Sequence, residues 1–559
     1  MIKIFIRQSI QIRFLFIASI LLWMSAASAQ SSAVVSAHPL ATQAGEIVLS
    51  QGGNAFDAAV AVSAALAVVE PYASGLGGGG FWLLHRAEDQ REIMIDGREM
   101  APGQASDRMY LNAENQLIGG ASLHGPMAAA IPGTPAALAH ITKKYGQLTL
   151  AQNLAPAIQL ARNGFKLDQR FVQTIQYHQQ KLRSYRDTAD IFLENGKVPA
   201  VGTLFRQPQL AASLSAMAQK GAAGFYRGPM AQEIIRSVRQ AGGIWREEDL
   251  ASYRVVERKP IKFTYRGAHV TSASLPSAGG LTLAQGLNIL ESFSFSNMSE
   301  WNKAHLVTEA LRFAYRDRIE LLGDGDFVSV PETQLLSKDY ARQRAALIKM
   351  NQAGASIPTQ AMPGEGAQTT HFSIIDQAGN RVAATMSINT FFGSGFVAGS
   401  TGILLNNEMD DFSMGDNVPN VFGLYGSKAN AITPGKRPLS NMSPTFVEDE
   451  QGILIAGTPG GSRIISMLLL VIMDYVDNRQ LDPVKLVSSP RFHHQYLPDQ
   501  IQIEPNSFHQ NWINGLKLKG HTVKTENRSW GNMQLIYFDK KNRQSYAASD
   551  PRGFSDTRY

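Results

Sequence analysis

Residues 351–368 (NQAGASIPTQAMPGEGAQ) form the one long stretch of this chain without hydrophobic periodicity, and they run directly into Thr369-Thr370-His371-Phe372-Ser373-Ile374-Ile375-Asp376. Period-two alternation predicts a strand there, so the loose segment ends at the lip of a sheet. Any fold containing this junction must leave the Gln368–Thr369 peptide bond accessible while holding residue 369 in register. If that bond breaks, Thr369 carries both a hydroxyl nucleophile and a free α-amine, and the amine can serve as base for its own hydroxyl. Threonine at a strand start is ordinary by itself, because it is a good β residue. The linker before it and the motifs after it tip the reading toward self-cleavage.

Around this junction the pattern is mixed helix and strand. Asn54 reads as the N-cap of an alanine-rich helix reaching Glu70, apolar on most sides and therefore buried. Short strands follow at Phe81–Arg86 and Glu92–Asp96. Residues 134–238 are mainly helical, broken at Gly146, Gly164 and Gly221. Ile261–Thr271 reads as one strand, and Leu281–Phe293, Asn302–Leu322 and Tyr340–Met350 as helices. Beyond the linker, Thr370–Asp376 and Arg381–Ile388 form a hairpin across Gln377-Ala378-Gly379-Asn380. Further strands at Gly452–Ala456, Gln534–Phe538 and Ser545–Ala548 surround a helix at Arg463–Val476. With 559 residues, several domain-sized cores or one large intertwined α/β unit are both compatible with the length.

Residues 1–29 have the form of a secretory signal. Lys3, Arg7 and Arg13 precede the apolar run Phe14–Met24, and Ala27-Ser28-Ala29 is a small-x-small cleavage site. The run is shorter than the roughly 20 residues of a spanning helix, so cleavage is expected over anchoring, with a periplasmic or secreted mature chain. The net charge of +6 includes three positives in residues 1–29, leaving +3. That is no nucleic-acid footprint. The chain has no cysteine, which excludes a disulfide scaffold, a thiol nucleophile and Cys-ligated zinc.

Gly75-Leu76-Gly77-Gly78-Gly79-Gly80 contains G-x-G-x-x-G, but a helix precedes it and a strand follows, the reverse of a dinucleotide site. A tight turn with close backbone packing is the better reading. No G-x-S-x-G, P-loop or H-E-x-x-H occurs. His493-His494 would face opposite ways on a strand and reads as structural. Thr458-Pro459-Gly460-Gly461-Ser462-Arg463 places glycine amides before a helix start, where they can receive developing negative charge or form a plain loop. Asn406-Asn407-Glu408-Met409-Asp410-Asp411-Phe412 reads equally as a holder for a substrate ammonium and as a solvated turn.

Together these segments resemble the γ-glutamyltranspeptidases, a family of N-terminal-nucleophile hydrolases. The resemblance spans nearly the whole chain after residue 29. It includes His38-Pro39-Leu40-Ala41-Thr42, Gly52-Gly53-Asn54-Ala55, Leu76-Gly77-Gly78-Gly79-Gly80-Phe81 and Arg98-Glu99-Met100-Ala101-Pro102. It continues through Thr369-Thr370-His371, Leu404-Leu405-Asn406-Asn407, Gly435-Lys436-Arg437-Pro438-Leu439-Ser440, Pro459-Gly460-Gly461-Ser462-Arg463 and Ser549-Asp550-Pro551-Arg552.

The resemblance implies an α/β fold, a four-layer αββα sandwich built from both autocleavage fragments. These would be a large fragment 30–368 and a small fragment 369–559, paired as a heterodimer. It also implies roles. Thr369 is the expected nucleophile in both maturation, at the Gln368 carbonyl, and turnover. Ser387 falls where the family often has a threonine near the nucleophile. Gly460 and Gly461 would offer amides to the oxyanion. Arg98, assisted by Ser440, would bind the α-carboxylate of a γ-glutamyl group, and Asp411 with Glu408 and Asn389 the α-ammonium. The expected substrates are glutathione and other γ-glutamyl compounds, with water, an amino acid or a peptide as acceptor and no metal or cofactor. Asn441 stands where most members carry a second serine, and Phe422 where some bacterial members place a lid tyrosine. Two rivals remain: a glutaryl or cephalosporin acylase on the same scaffold, and an uncleaved binding protein. Glutaryl groups lack the ammonium, so Glu408 and Asp411 argue against the first. Intact Thr369, Gly460 and Gly461 argue against the second.

Overall fold

Alternation along the strands builds the architecture. In the strand Gly79–Arg86, Trp82 and Leu84 point to one apolar core and Leu83 to another; in Gly452–Gly457, Ile453 and Ile455 face one way and Leu454 the other. Both faces of each strand are therefore buried, which requires two sheets packed face to face with helices outside. The computed structural model describes residues 30–357, 369–414 and 418–553, and within them the chain forms this αββα sandwich. Residues 1–29 and Gln368, on which the signal and cleavage readings fall, lie outside the described residues.

The first sheet has six strands in the order Ala33–Ser36, Thr369–Ile375, Arg381–Ser387, Gly79–Arg86, Arg91–Gly97 and Val256–Arg258, all antiparallel. The second has the order Gln544–Ser549, Gln534–Asp539, Gly452–Gly457, Thr445–Glu448, Ala268–Ser272 and Ile261–Tyr265. Val35, Leu83, Ile375 and Ala383 of the first sheet meet Phe446, Ile455, Ile536 and Phe538 of the second in the central core. Each sheet mixes strands from before and after residue 368.

The helix Ala55–Val69 is buried along its whole length against the first sheet. Asn54 caps it as predicted: Oδ1 accepts from Phe56 N and Asp57 N, and Asp57 Oδ2 accepts from Asn54 N. Helices Gly279–Leu290, Glu300–Leu321 and Arg463–Val476 cover the second sheet. The hairpin Thr369–Ile375 to Arg381–Ser387 forms across the predicted turn, where Asp376 Oδ1 accepts from both Ala378 N and Asn380 N. The helices expected at Leu281–Phe293 and Tyr340–Met350 lie at Gly279–Leu290 and Lys338–Ala345, and one expected strand is divided. Ile261–Thr271 is two strands rather than one, because Arg266 and Gly267 both adopt positive φ and fold the chain back in a two-residue turn. No helix of the described residues is long and apolar enough to cross a membrane.

Candidate active site

Thr369 opens a strand clamped between Ala33–Ser36 and Arg381–Ser387, directly opposite Ser387. Ser387 Oγ accepts from Asn389 N at 2.7 Å. Contacts across the sandwich relate this strand to the second sheet. Ser373 Oγ donates to Ile455 O at 3.2 Å, and a Cβ on Gly457 would meet His371 Cε1 at 2.2 Å. Two residues toward the start of one strand thus correspond to two toward the end of the other. Past Gly457 the second strand ends, on the side of His371 toward Thr369. There the chain turns through Gly460 (φ 145°) and Gly461 (φ 57°) into the helix Arg463–Val476. Among the described residues neither the Gly460 nor the Gly461 N–H donates a hydrogen bond, so two amides at a helix start remain open.

His371 is the nearest imidazole in sequence, and it is not a base. Nδ1 pairs with Thr385 Oγ1 at 2.8 Å, Nε2 with Ser373 Oγ at 3.3 Å, and complete burial lowers its pKa to about 3. His493 and His494 diverge as expected. His493 bonds Ser466 and Gln495, whereas His494 bonds Asp499.

The glycine run is packing, as the order of elements predicted. A Cβ on Gly77 would lie 2.0 Å from Leu404 O, one on Gly78 2.1 Å from Ser387 O, and one on Gly79 2.7 Å from the Glu99 carboxylate. Bare backbone here lets three segments converge: the end of the Thr369–Ser387 hairpin, residues 404–408 and the Arg98–Glu99 turn. Asn406 locks the second of these, donating to Gly77 O and Ala130 O and accepting from Ala130 N and Glu408 N. Gly78→Ala should push back the backbone carrying Ser387. We expect a loss of at least about 1–3 kcal/mol and slowed fragment formation, read by thermal melting and by gel.

The acid run is not a solvated turn. Glu408–Asp411 is a short 3-10 helix, with Glu408, Met409 and Asp410 buried. Arg98 collects its charges. Nη1 donates to Glu408 Oε1 and to Glu99 Oε2 (3.4 Å), Nη2 to Asp411 Oδ2 (2.5 Å), and Nε to Pro438 O (3.1 Å). The third carboxylate, Glu99, belongs to the arginine motif but was not singled out from sequence. Burial raises Glu408 well above the usual carboxylate range and raises Glu99 and Asp411 as well, with Arg98 opposing the shift in all three. Glu408 Oε2 is buried without a hydrogen-bond partner. An orphaned acceptor among three acids facing one cation suits an incoming cation. Asn389, at φ 75°, donates from Nδ2 to Asn407 O and so ties the hairpin to the acid run.

Ser440 and Asn441 follow Pro438, whose carbonyl holds Arg98. Ser440 Oγ accepts from Met442 N at 3.1 Å, and Asn441 Oδ1 accepts from Arg318 Nε at 2.8 Å. The segment around Phe422 is fixed without a phenol. Asn420 Nδ2 donates to Asp411 Oδ1, Val421 N to Asp410 Oδ2, and Gln495 Nε2 to Phe422 O. The Phe422 ring packs against the core of the second sheet.

A family described as gamma-glutamyltranspeptidase matches residues 41–557. The chain is 42% identical to a glutathione hydrolase proenzyme of Escherichia coli (strain K12), over 94% of this chain and 91% of the relative. It is 34% identical to an acylase ACY 1 proenzyme of Pseudomonas sp. (strain SE83), over 92% and 91%. Among solved structures it is similar to a cephalosporin acylase from Bacillus halodurans, with TM-score 0.82, 29% identity and coverage of 94% and 95%. It is also similar to the γ-glutamyltranspeptidase of Helicobacter pylori, with TM-score 0.56 and 40% identity, over 57% of this chain and 92% of that one.

Proposed function

The chain belongs to the γ-glutamyltranspeptidase family, and from that premise we propose that it is a self-processing γ-glutamyl hydrolase and transferase whose nucleophile is Thr369. It cleaves glutathione and related γ-glutamyl amides. In maturation, Thr369 Oγ1 attacks the Gln368 carbonyl carbon. The peptide bond breaks as an ester forms and the Thr369 α-amine is released. Water then hydrolyses the ester and leaves a Gln368 carboxylate and a free hydroxyl. The products are fragments 30–368 and 369–559, held together as a heterodimer, with residues 1–29 removed on export to the periplasm or medium.

In turnover the new α-amine, a group that ordinarily titrates at about 7.7–8, takes the Oγ1 proton as Oγ1 attacks the γ-carbonyl. The same proton passes to the leaving amine. Neutral His371, hydrogen-bonded through both ring nitrogens, leaves this task to the amine. The Gly460 and Gly461 amides receive the oxyanion, and Ser387 lies opposite the nucleophile. The resulting γ-glutamyl ester is resolved by water or by the amine of an amino acid or peptide. Arg98 and Ser440 hold the α-carboxylate end. Glu408, Asp411 and Asn389 hold the α-ammonium.

The observation that carries the reading of the acyl group is the orphaned Glu408 Oε2 inside a cluster of three buried carboxylates. A glutaryl or cephalosporin acylase, the second reading, draws support from the likeness to the Bacillus halodurans cephalosporin acylase, but a glutaryl group has no ammonium for that acceptor to receive. Asp411→Asn is the test. Turnover of γ-glutamyl-anilide should fall about 10- to 100-fold, the scale of a hydrogen bond to a charged group, while turnover of glutaryl-anilide changes little. Equal losses would remove Asp411 from ammonium binding.

A further inference from the structure

Gln495 follows the two-residue strand Phe492–His493 and is 4% exposed. Its side-chain amide joins two segments of the candidate site. Nε2 faces three backbone carbonyls, Phe422 O at 3.2 Å, Gly423 O at 3.3 Å and Leu497 O at 3.1 Å. Carbonyl oxygens only accept, so the amide has one permitted orientation. Oε1 is thereby turned to Ser462 Oγ at 2.6 Å and to His493 Nε2 at 2.8 Å, and both must donate to it. His493, kept neutral by burial, therefore carries its proton on Nε2 and accepts at Nδ1 from Ser466 Oγ at 2.8 Å.

The two ends of this amide reach different parts of the site. Ser462 directly follows Gly461, and its carbonyl accepts from the Tyr315 hydroxyl. The turn with the two open amides is thus gripped by a backbone and a side-chain contact on the same residue. Phe422 and Gly423 belong to the segment tied to the acid run. There Asn420 Nδ2 donates to Asp411 Oδ1 at 3.2 Å and Val421 N to Asp410 Oδ2 at 2.8 Å. Gln495 therefore spans the gap between the glycine turn and the segment that braces Asp410 and Asp411. A buried amide with both polar atoms satisfied is a stiff spacer, because shifting either end orphans a donor or an acceptor.

We propose that Gln495 is a positioning residue that holds the glycine turn at 460–461 and the segment 420–423 in fixed register, so that both act on the acyl group as one unit. Gln495 works through its neighbours. Through Ser462 it aims the Gly460 and Gly461 amides, a contribution realised in the transition state and therefore read in kcat. Through Phe422 and Gly423 it keeps Asn420 on Asp411, a contribution realised on binding and therefore read in KM.

The inference rests on the γ-glutamyl reading, and one assay separates the two. Wild-type enzyme that does not turn over γ-glutamyl-anilide would defeat the parent reading. Given that turnover, with rates normalised to the amount of cleaved enzyme, two variants divide the contacts of Gln495. Ser462→Ala cuts the glycine-turn end alone and should lower kcat about 3- to 10-fold with KM within about 2-fold of wild type. Gln495→Met keeps the length and removes both ends, so it should show the same fall in kcat together with a KM raised about 3- to 10-fold. The double variant should match Gln495→Met in kcat, because both substitutions break one contact. Losses in kcat that multiply in the double variant, or a KM unchanged in Gln495→Met, would overturn the proposal. Should Gln495→Met fail to show a cooperative melting transition, Gln495→Glu carries the test. It keeps an acceptor for Ser462 and His493 and sets an oxygen against the Phe422 and Gly423 carbonyls. A raised KM at wild-type kcat is then expected, and a lowered kcat at wild-type KM would overturn the assignment.

Discussion

Thr369→Ala should leave a single uncut chain with no measurable turnover. In the proposed mechanism both steps use the same oxygen, so one substitution removes both. Losing the nucleophile of an acyl-transfer enzyme costs on the order of 10⁶ in kcat, and here the α-amine is never released either. The strand should survive. Thr369 is buried at its start, and the pairing that holds it there runs through backbone to Ser36–Ala33 on one side and Arg381–Ser387 on the other. A melting temperature close to that of a freshly made precursor, together with one band on a denaturing gel, is the expected result. A Thr369→Ala protein that still yields two fragments would overturn the assignment.

Arg98→Ala should be the most damaging change away from the nucleophile. It strips the cation from Glu99, Glu408 and Asp411, all buried. Breaking a buried pair by removing one partner costs about 3–5 kcal/mol, and truncating a buried charged contact to substrate costs a further 2–5 kcal/mol or so in binding. The loss should depend on pH with a definite sign. Burial raises all three carboxyls above their unfolded values, so the folded state binds protons more tightly. That contribution is present at low pH and fades as pH rises through the folded values. Arg98 lowers all three, so without it they rise further and the fall with pH steepens. The gap in melting temperature between wild type and Arg98→Ala should therefore widen from about pH 5 to about pH 8. A constant gap would mean that Arg98 acts through packing alone.

Local signals carried a good part of this structure. The helix Arg463–Val476 begins and ends where the apolar pattern does, and the capped helix after Asn54 starts within one residue of its expected place. The hairpin that opens at Thr369 was visible because period-two alternation agrees with a turn built from Asp376, Gly379 and Asn380. What escaped depends on partners far away in sequence. The acids at 408 and 411 could equally belong to a wet turn until Arg98, some 310 residues earlier, is seen against them. Glu99 looked like one more residue of a motif. Arg318 sits in the run Arg316-Asp317-Arg318-Ile319-Glu320 of a helix expected from sequence, where no motif singles it out. Only the tertiary structure seats it beneath Asn441. The split of Ile261–Thr271 was hidden because Arg266 gives no turn signal, although it adopts φ 46°.

The interleaving of strands has a consequence for what self-cleavage does to the folding equilibrium. Before the cut the chain folds as one molecule, and the return from the unfolded state is first order. Each sheet draws strands from both sides of residue 368, so neither fragment holds a complete sheet. Once the chain is opened before Thr369, unfolding releases two molecules and refolding becomes second order, with an apparent stability that depends on concentration. On the proposed processing, the mature enzyme would be held in its fold by a barrier passed while it was still one chain. Maturation therefore acts as a ratchet: a diluted, denatured sample of mature enzyme should recover poorly, whereas denatured Thr369→Ala precursor should recover at a rate independent of its concentration.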